Sequence, residues 1–332
     1  MKEMYIMRDI LICLDGSAIS KQAIPYALAI AHAFKAKITL LHVLEYSVNN
    51  IKTPVDPFLW ALQKQEIEIY LDDIMSNFPA NTNLVTSHIV EGKAAEEISH
   101  WIKKHPVDLV VLCSHGANGY SQWPLASNSQ KLLFGSKVST LLVPAKEHQY
   151  HQEQPLHCKK ILVPLDGSVW AESVLPVALS IAKEQQAEIL LAHVIPESGL
   201  THIMPFNNDE IALENSIQRH NEQVAANYLE QVRKQLSSLT TLDISSILIP
   251  KHGVCDELLQ VVAQDDIDMV IMNAHGRSAR AGRYHGNIAM DFLANSKVPV
   301  LLVRGITPQD DLLRPGNTYQ SELEGRYPQR AY

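Results

Sequence analysis

The chain has 332 residues, 46% of them apolar, and a formal charge of −8. That length accommodates two domains with a substantial core in each, and the negative balance argues against nucleic-acid binding through bulk electrostatics. The opening MKEMYIMRDILICLDGS lacks a signal-peptide pattern, and no apolar run reaches the ~18–20 residues that cross a bilayer. The four cysteines form no CxxC pair. The expectation is a reduced, cytoplasmic protein with no nucleic-acid or membrane partner.

The first predicted strand covers residues 9–14 and runs into ILICLDGS (10–17). A helix follows over 18–35, with Ala23, Ala27, Ile30, Ala31 and Phe34 at the spacing of one face. Further strands are predicted at 37–43, 84–90, 107–113 and 138–144. Runs such as LVVLC are apolar almost throughout, as strands covered on both faces are. Residues 147–158 show no periodicity and read as a linker between a first domain, 1–146, and a second, 159–304. The polar tail, 305–332, is broken by Pro308, Pro315, Gly316 and Pro328 and reads as irregular.

The second domain restates the first. ILVPLDGS (161–168) repeats ILICLDGS at an offset of 151, which also pairs Pro25 with Pro176, Ala31 with Ala182, and His42-Val43 with His193-Val194. Later, VDLVVLCSHG (107–116) matches IDMVIMNAHG (267–276), and SKVSTLLV (136–143) matches SKVPVLLV (296–303), at an offset of 160. The second copy therefore gains a net nine residues between its second and third strands. Its strands are predicted at 160–165, 188–194, 243–249, 267–273 and 298–304. Strands alternating with helices predict an α/β fold, two tandem doubly wound Rossmann-like domains with parallel sheets and helices on both faces. Such sheets bind ligands beyond the carboxyl ends of their strands. LDGS and SHG/AHG both fall there.

The loop HGRSARAGRYHGN (275–287) lies at that edge in the second copy. It places Arg277, Arg280 and Arg283 among Gly276, Gly282 and Gly286, a local reversal of charge in an acidic chain. The first copy has ANGYSQWPL there, without a positive charge, so the second copy is the favoured anion-binding half. A solvated loop is the alternative. Ile288, Phe292 and Leu293 continue at helical spacing, which puts Asn287 at a helix N-cap, where backbone N–H groups also suit a phosphate. Ser127 has the same two readings in the first copy. Asp15 and Asp166 are turn residues or ligand contacts. With no clear nucleophile and no P-loop lysine motif, no catalytic residue is assigned. His42, His193, His115 and His275 are read as structural. His148, His151, His157 and Cys158 lack a diagnostic metal spacing, so no metal is assigned beyond Mg accompanying ATP.

A first strand ending in DGS, an HV pair ending the second and xHG after the fourth resemble the universal stress protein family, over residues 8–144 and 159–304. The resemblance is to the tandem two-domain type. It implies five parallel strands per domain in the order 3-2-1-4-5 and an intramolecular pseudo-dimer. Many nucleotide-binding members carry G-x-x-G, nine residues, then G-[S/T], which wraps the phosphates of ATP. The strand-1 aspartate and strand-2 valine then address adenosine. Carried over, the second copy offers Asp166, Val194, Asn273 at the first glycine, Gly276, Gly286 and Asn287, flanked by Pro164, Met272, His275, Arg277 and Ile288. The first copy offers Asp15, Val43, Cys113, Gly116 and Ser127, with one motif glycine kept against two. In the implied strand order Cys13 and Cys113 end neighbouring strands, as an oxidant-sensing pair or as two small apolar side chains. The function expected is a non-enzymatic ATP- or AMP-binding stress protein, a regulatory or sensor module with an unidentified protein partner. Homodimerisation stays open. A nucleotide-free scaffold and a slow ATPase are the rivals.

Overall fold

The computed structural model describes residues 7–45, 56–80, 82–116, 138–145, 156, 158–195, 208–249, 253–274 and 287–304. The first copy contributes β1 (Asp9–Leu14), β2 (Lys37–Leu44), β3 (Val85–Glu91), β4 (Leu109–Cys113) and β5 (Ser139–Val143). The second contributes β6 (Lys160–Leu165), β7 (Glu188–Val194), β8 (Ile244–Ile249), β9 (Met269–Asn273) and β10 (Val300–Val303). Each falls where the apolar runs predicted it, with ends moved by at most a few residues. Pairing gives the order β3-β2-β1-β4-β5-β10-β9-β6-β7-β8. Within each copy that is 3-2-1-4-5, and all the neighbours inside a copy are parallel.

Successive strand residues point to opposite faces, and both faces are covered. On one side Ile10, Ile12, Leu109, Val111, Ile161 and Val163 join a single core that runs through both copies. On the other, Leu11, Val110, Leu112, Leu162 and Val270 join a second. This double burial is why the strands read as continuous apolar runs rather than as alternating ones.

Helix α1 (Ile24–Phe34) buries Ala27, Ile30, Ala31 and Phe34, the face predicted from spacing. It begins later than expected, because residues 20–23 form a separate 3-10 turn after the DGS segment. Helices α2 (Pro57–Ser76) and α3 (Ala94–Lys104) complete the first copy. The second has a short α4 (Val169–Glu172), then α5 (Leu175–Gln185), α6 (Asn208–Ser237), α7 (Val254–Gln264) and α8 (Asn287–Asn295). The helix between the second and third strands has 20 residues in the first copy and 30 in the second, so the insertion falls in α6. The two copies even end their first long helices alike, with Lys35 and Gln186 both left-handed at φ 53°. Among the described residues, no helix is long and apolar enough to cross a membrane.

The copies meet where β5 pairs antiparallel with β10. The register is Val300 with Leu142, Leu301 with Leu141, and Leu302 with Thr140. Exchanging residues 160 apart maps this set onto itself, centred on Leu141 and Leu301, which are both fully buried. Helices α1 and α5, equivalent in the repeat, pack against each other beside the same seam.

A second duplicated feature locks β1 to β4 and β6 to β9 at their starts. Asp108 Oδ2 accepts from the backbone N–H groups of Arg8 and Asp9, at 2.8 and 3.2 Å. Asp268 Oδ2 does the same for Lys159 and Lys160, at 2.7 and 3.0 Å. Charged acceptors on strand-entry amides make strong hydrogen bonds. The repeated VD/ID ahead of the fourth strand was their trace in the sequence.

Candidate functional site

The carboxyl ends of β1 and β6 carry the same turn. Gly16 and Gly167 sit at φ 83° and 76°, a left-handed conformation that disfavours any side chain. The bend lets Asp15 Oδ1 accept from Ser17 N (3.0 Å) and Ser17 Oγ (2.6 Å). Asp166 Oδ1 likewise accepts from Ser168 N (2.9 Å) and Ser168 Oγ (2.5 Å). Each serine oxygen in turn caps the following turn, Ser17 Oγ accepting from Ser20 N and Ser168 Oγ from Ala171 N, both at 3.1 Å. The DGS aspartates are thus anchored by one oxygen at the switch-point edge.

The fourth strands close on these turns. Cys113 Sγ donates to Ile19 O at 3.1 Å. At the matching place, Asn273 Nδ2 donates to Trp170 O and to Ser173 Oγ, both at 2.8 Å. Ile19 and Trp170 are equivalent under the 151-residue offset, so both copies tie the strand end to the same carbonyl. Just beyond β4, Ser114 Oγ accepts from Ala145 N (2.9 Å) and lies 3.0 Å from His115 Nδ1. A Cβ on Gly116 would collide with Asp15 Oδ2, so glycine there is what lets the two loops of the first copy touch.

The candidate residues divide between the two faces of the sheet. Met272 belongs to the second core, and Val43 and Val194 pack against it partly buried. Pro164, partly buried, shares this face by alternation with Leu162. Pro164, Val194 and Met272 therefore end the adjacent strands β6, β7 and β9 with an apolar floor. Such a surface suits the flat face of a base, while the neighbouring turn supplies polar groups. Asn287 opens α8, and Ile288 in its first turn is 43% exposed. Cys113 and Asn273 lie on the other face, with His42 and His193, both largely buried. His275, Gly276, Arg277, Gly286 and Ser127 lie outside the described residues, as do Arg280 and Arg283, His148, His151 and His157.

The expected thiol pair is corrected. Ile12 pairs with Val111, so Cys13 stands opposite Leu112 and Cys113 is one residue further along. One residue changes the face. Cys113 points into the first core and Cys13 packs against the second, with the sheet between them. Burial pushes both thiols up to about 12, which suppresses the thiolate. Cys13 packs against the second core, and Cys113 fills the first while its S–H meets Ile19 O. Cys158 is also in the first core, its thiol pushed up to about 12 by burial. Among the described residues, no group of three or more His, Cys, Asp or Glu could hold a metal ion.

His42 makes a titration prediction. Burial lowers its pKa, against the nearby Asp15 carboxylate and a hydrogen bond with the Leu14 backbone, which both raise it. A base whose folded pKa lies below the unfolded one leaves the native state binding fewer protons. Its stabilising contribution is complete above the unfolded pKa of about 6.5 and declines as the pH falls from there toward the folded value. Urea denaturation at pH 8, 6.5 and 5 is expected to show a smaller acid-side loss in His42→Gln than in the wild type. Identical pH slopes in the two proteins would contradict the assignment.

A doubly wound parallel sheet written twice along the chain defines a tandem Rossmann-like α/β protein. A profile of the universal stress protein family matches residues 7–144 and again 157–304, and the chain belongs to that family. Universal stress protein MJ0577 of Methanocaldococcus jannaschii is 27% identical over 157 residues, covering 44% of this chain and 94% of its own. Universal stress protein A of Salmonella typhimurium is 30% identical over 148 residues, covering 43% and 97%. These relatives therefore correspond to one copy each. A universal stress protein from Archaeoglobus fulgidus spans both copies, covering 90% of this chain and 97% of its own, with a TM-score of 0.58 at 16% identity. That likeness shows the shared fold.

Proposed function

We propose that this chain is a non-catalytic adenine-nucleotide-binding stress protein that acts as a regulatory or sensor module, with ATP or AMP held mainly by residues 159–304. Residues 1–146 form the partner domain, with 147–158 as linker, and the two act as an intramolecular pseudo-dimer in the cytoplasm. The observation that carries the reading is the edge of the second copy. There the Asp166-Gly167-Ser168 turn borders the apolar floor of Pro164, Val194 and Met272 at the switch point. Adenine would lie on that floor and the ribose beside Asp166. Phosphates would meet the segment from Gly276 to Asn287, where Arg277 supplies charge. When bound with Mg, the triphosphate would bring its own cation to this edge. The first motif glycine is replaced by Cys113 in one copy and by Asn273 in the other, and these departures favour a second reading, a scaffold that holds no nucleotide.

Mass spectrometry of small molecules released on denaturing the purified full chain separates the two. Adenine nucleotide is expected, and an empty protein that also ignores added ATP and AMP would select the scaffold. Steady phosphate release above the level of an Asp166→Ala variant would select the slow ATPase. In calorimetric titrations, Arg277→Ala is expected to weaken ATP by about 10–100-fold, the worth of one charge-assisted hydrogen bond. AMP, with less charge, should lose less. Equal losses for both ligands would remove Arg277 from the phosphate site.

A further inference from the structure

The first-glycine position of the nucleotide motif holds a buried amide in one copy and a buried thiol in the other. Asn273 is 6% exposed and spends both protons of its amide nitrogen on the segment after β6, at Trp170 O and Ser173 Oγ, each 2.8 Å away. Ser173 Oγ also donates to Trp170 O at 2.7 Å, so the three groups form a closed triangle. Ser173 is the residue that ends α4, and Trp170 lies inside it. The start of α4 is Ser168, whose hydroxyl and N–H hold Asp166. A continuous hydrogen-bonded path therefore runs from the end of β9 through α4 to the aspartate.

The first copy makes the corresponding tie with a thiol. Cys113 supplies one S–H bond to Ile19 O, weaker than an amide donor. Its turn is also tied to itself, with Ser20 Oγ donating to Ser17 O at 3.0 Å and accepting from Asp15 N at 3.4 Å. One copy has a turn fastened to the neighbouring strand by two amide bonds. The other has a single thiol bond at the same carbonyl.

We infer that Asn273 is a positioning residue: it clamps the Asp166–Ser173 turn to the end of β9, so that the two ligand-facing elements of the second copy keep one preset spacing before nucleotide arrives. This rests on the nucleotide reading above. A preset site loses less order on binding than one that must be assembled, so the clamp favours the second copy independently of its arginines. The side chain itself does not touch the ligand. It points into the opposite face of the sheet from Val194 and Met272.

The test uses the full chain and two variants. Asn273→Leu keeps the size of the side chain and removes both donors, and Asn273→Cys installs the single donor of the first copy. Hydrogen exchange is measured on the ligand-free proteins, and ATP and AMP affinity by calorimetry at a temperature where all are folded. In Asn273→Leu, exchange at 168–173 is expected to rise about tenfold while β6 and β9 stay protected. Both nucleotides should weaken by about tenfold, as two neutral hydrogen bonds of ordinary net strength allow. Asn273→Cys should fall between the wild type and Asn273→Leu in both measurements, a graded rescue that loss of packing alone would not produce. Unchanged exchange at 168–173 in Asn273→Leu would overturn the clamp. Loosened exchange with wild-type affinity would overturn its role in binding. A wild-type chain that binds neither nucleotide would instead overturn the functional reading, and the exchange measurement would still decide the clamp.

Discussion

Leu301→Asp is expected to abolish the stable fold of the full chain. Leu301 is fully buried at the centre of the β5–β10 seam, paired with an equally buried Leu141. Removing a buried leucine costs about 2–5 kcal/mol, and an unpaired carboxylate in the same place adds several more. The sum is comparable with the whole stability of a typical domain, roughly 5–15 kcal/mol. Both cores run through the seam, so damage there reaches each copy. The control is Leu84→Asp, at a site 61% exposed just before β3, where a loss within about 0.5 kcal/mol is expected. Urea denaturation followed by circular dichroism compares the two. A Leu301→Asp protein as stable as the control would mean that the seam contributes little to the fold.

Phe292→Ala is expected to cost about 3–5 kcal/mol, the usual range for deleting a buried phenyl ring. Phe292 is 0% exposed, lies in the middle of α8 and belongs to the second core with Ala289 and Leu293. These three anchor a helix of nine residues, which is too short to persist on its own propensity. The cavity should therefore loosen α8 first, and with it the Asn287 end that faces the ligand edge. Hydrogen exchange should rise across 287–295 before it rises in β9. Nucleotide affinity should fall together with α8 protection, because ordering the helix then becomes a cost of binding. Uniform exchange across the second copy would show that α8 opens only with the whole domain.

Much of the fold was legible because periodicity and repetition are properties of a line of letters. Apolar runs located the strands, since strands buried on both faces leave few polar gaps. The second copy checked the first, and the nine-residue insertion appeared where α6 is longer than α2. What stayed hidden depended on register. Cys13 and Cys113 do end neighbouring strands, as expected, but a stagger of one residue sends them to opposite faces. No spacing along the chain records that stagger. The clamp of Asn273 was hidden for a related reason. Its partners, Trp170 and Ser173, lie about a hundred residues earlier and meet it only once β9 lies beside β6. The substitution of asparagine for glycine was visible, but its purpose was not.

The register that exchanges the copies across β5 and β10 also changes what inheritance can do to them. Two identical subunits meeting along such an edge share one gene, so every alteration of a site strikes both at once. A tandem chain is released from that rule. Each half can drift while the other keeps the ancestral task, because the partner it needs is always covalently present. Asn273 where the other half has Cys113, and an arginine-bearing loop where the other half has an uncharged one, are differences that two copies of one shorter chain could not hold.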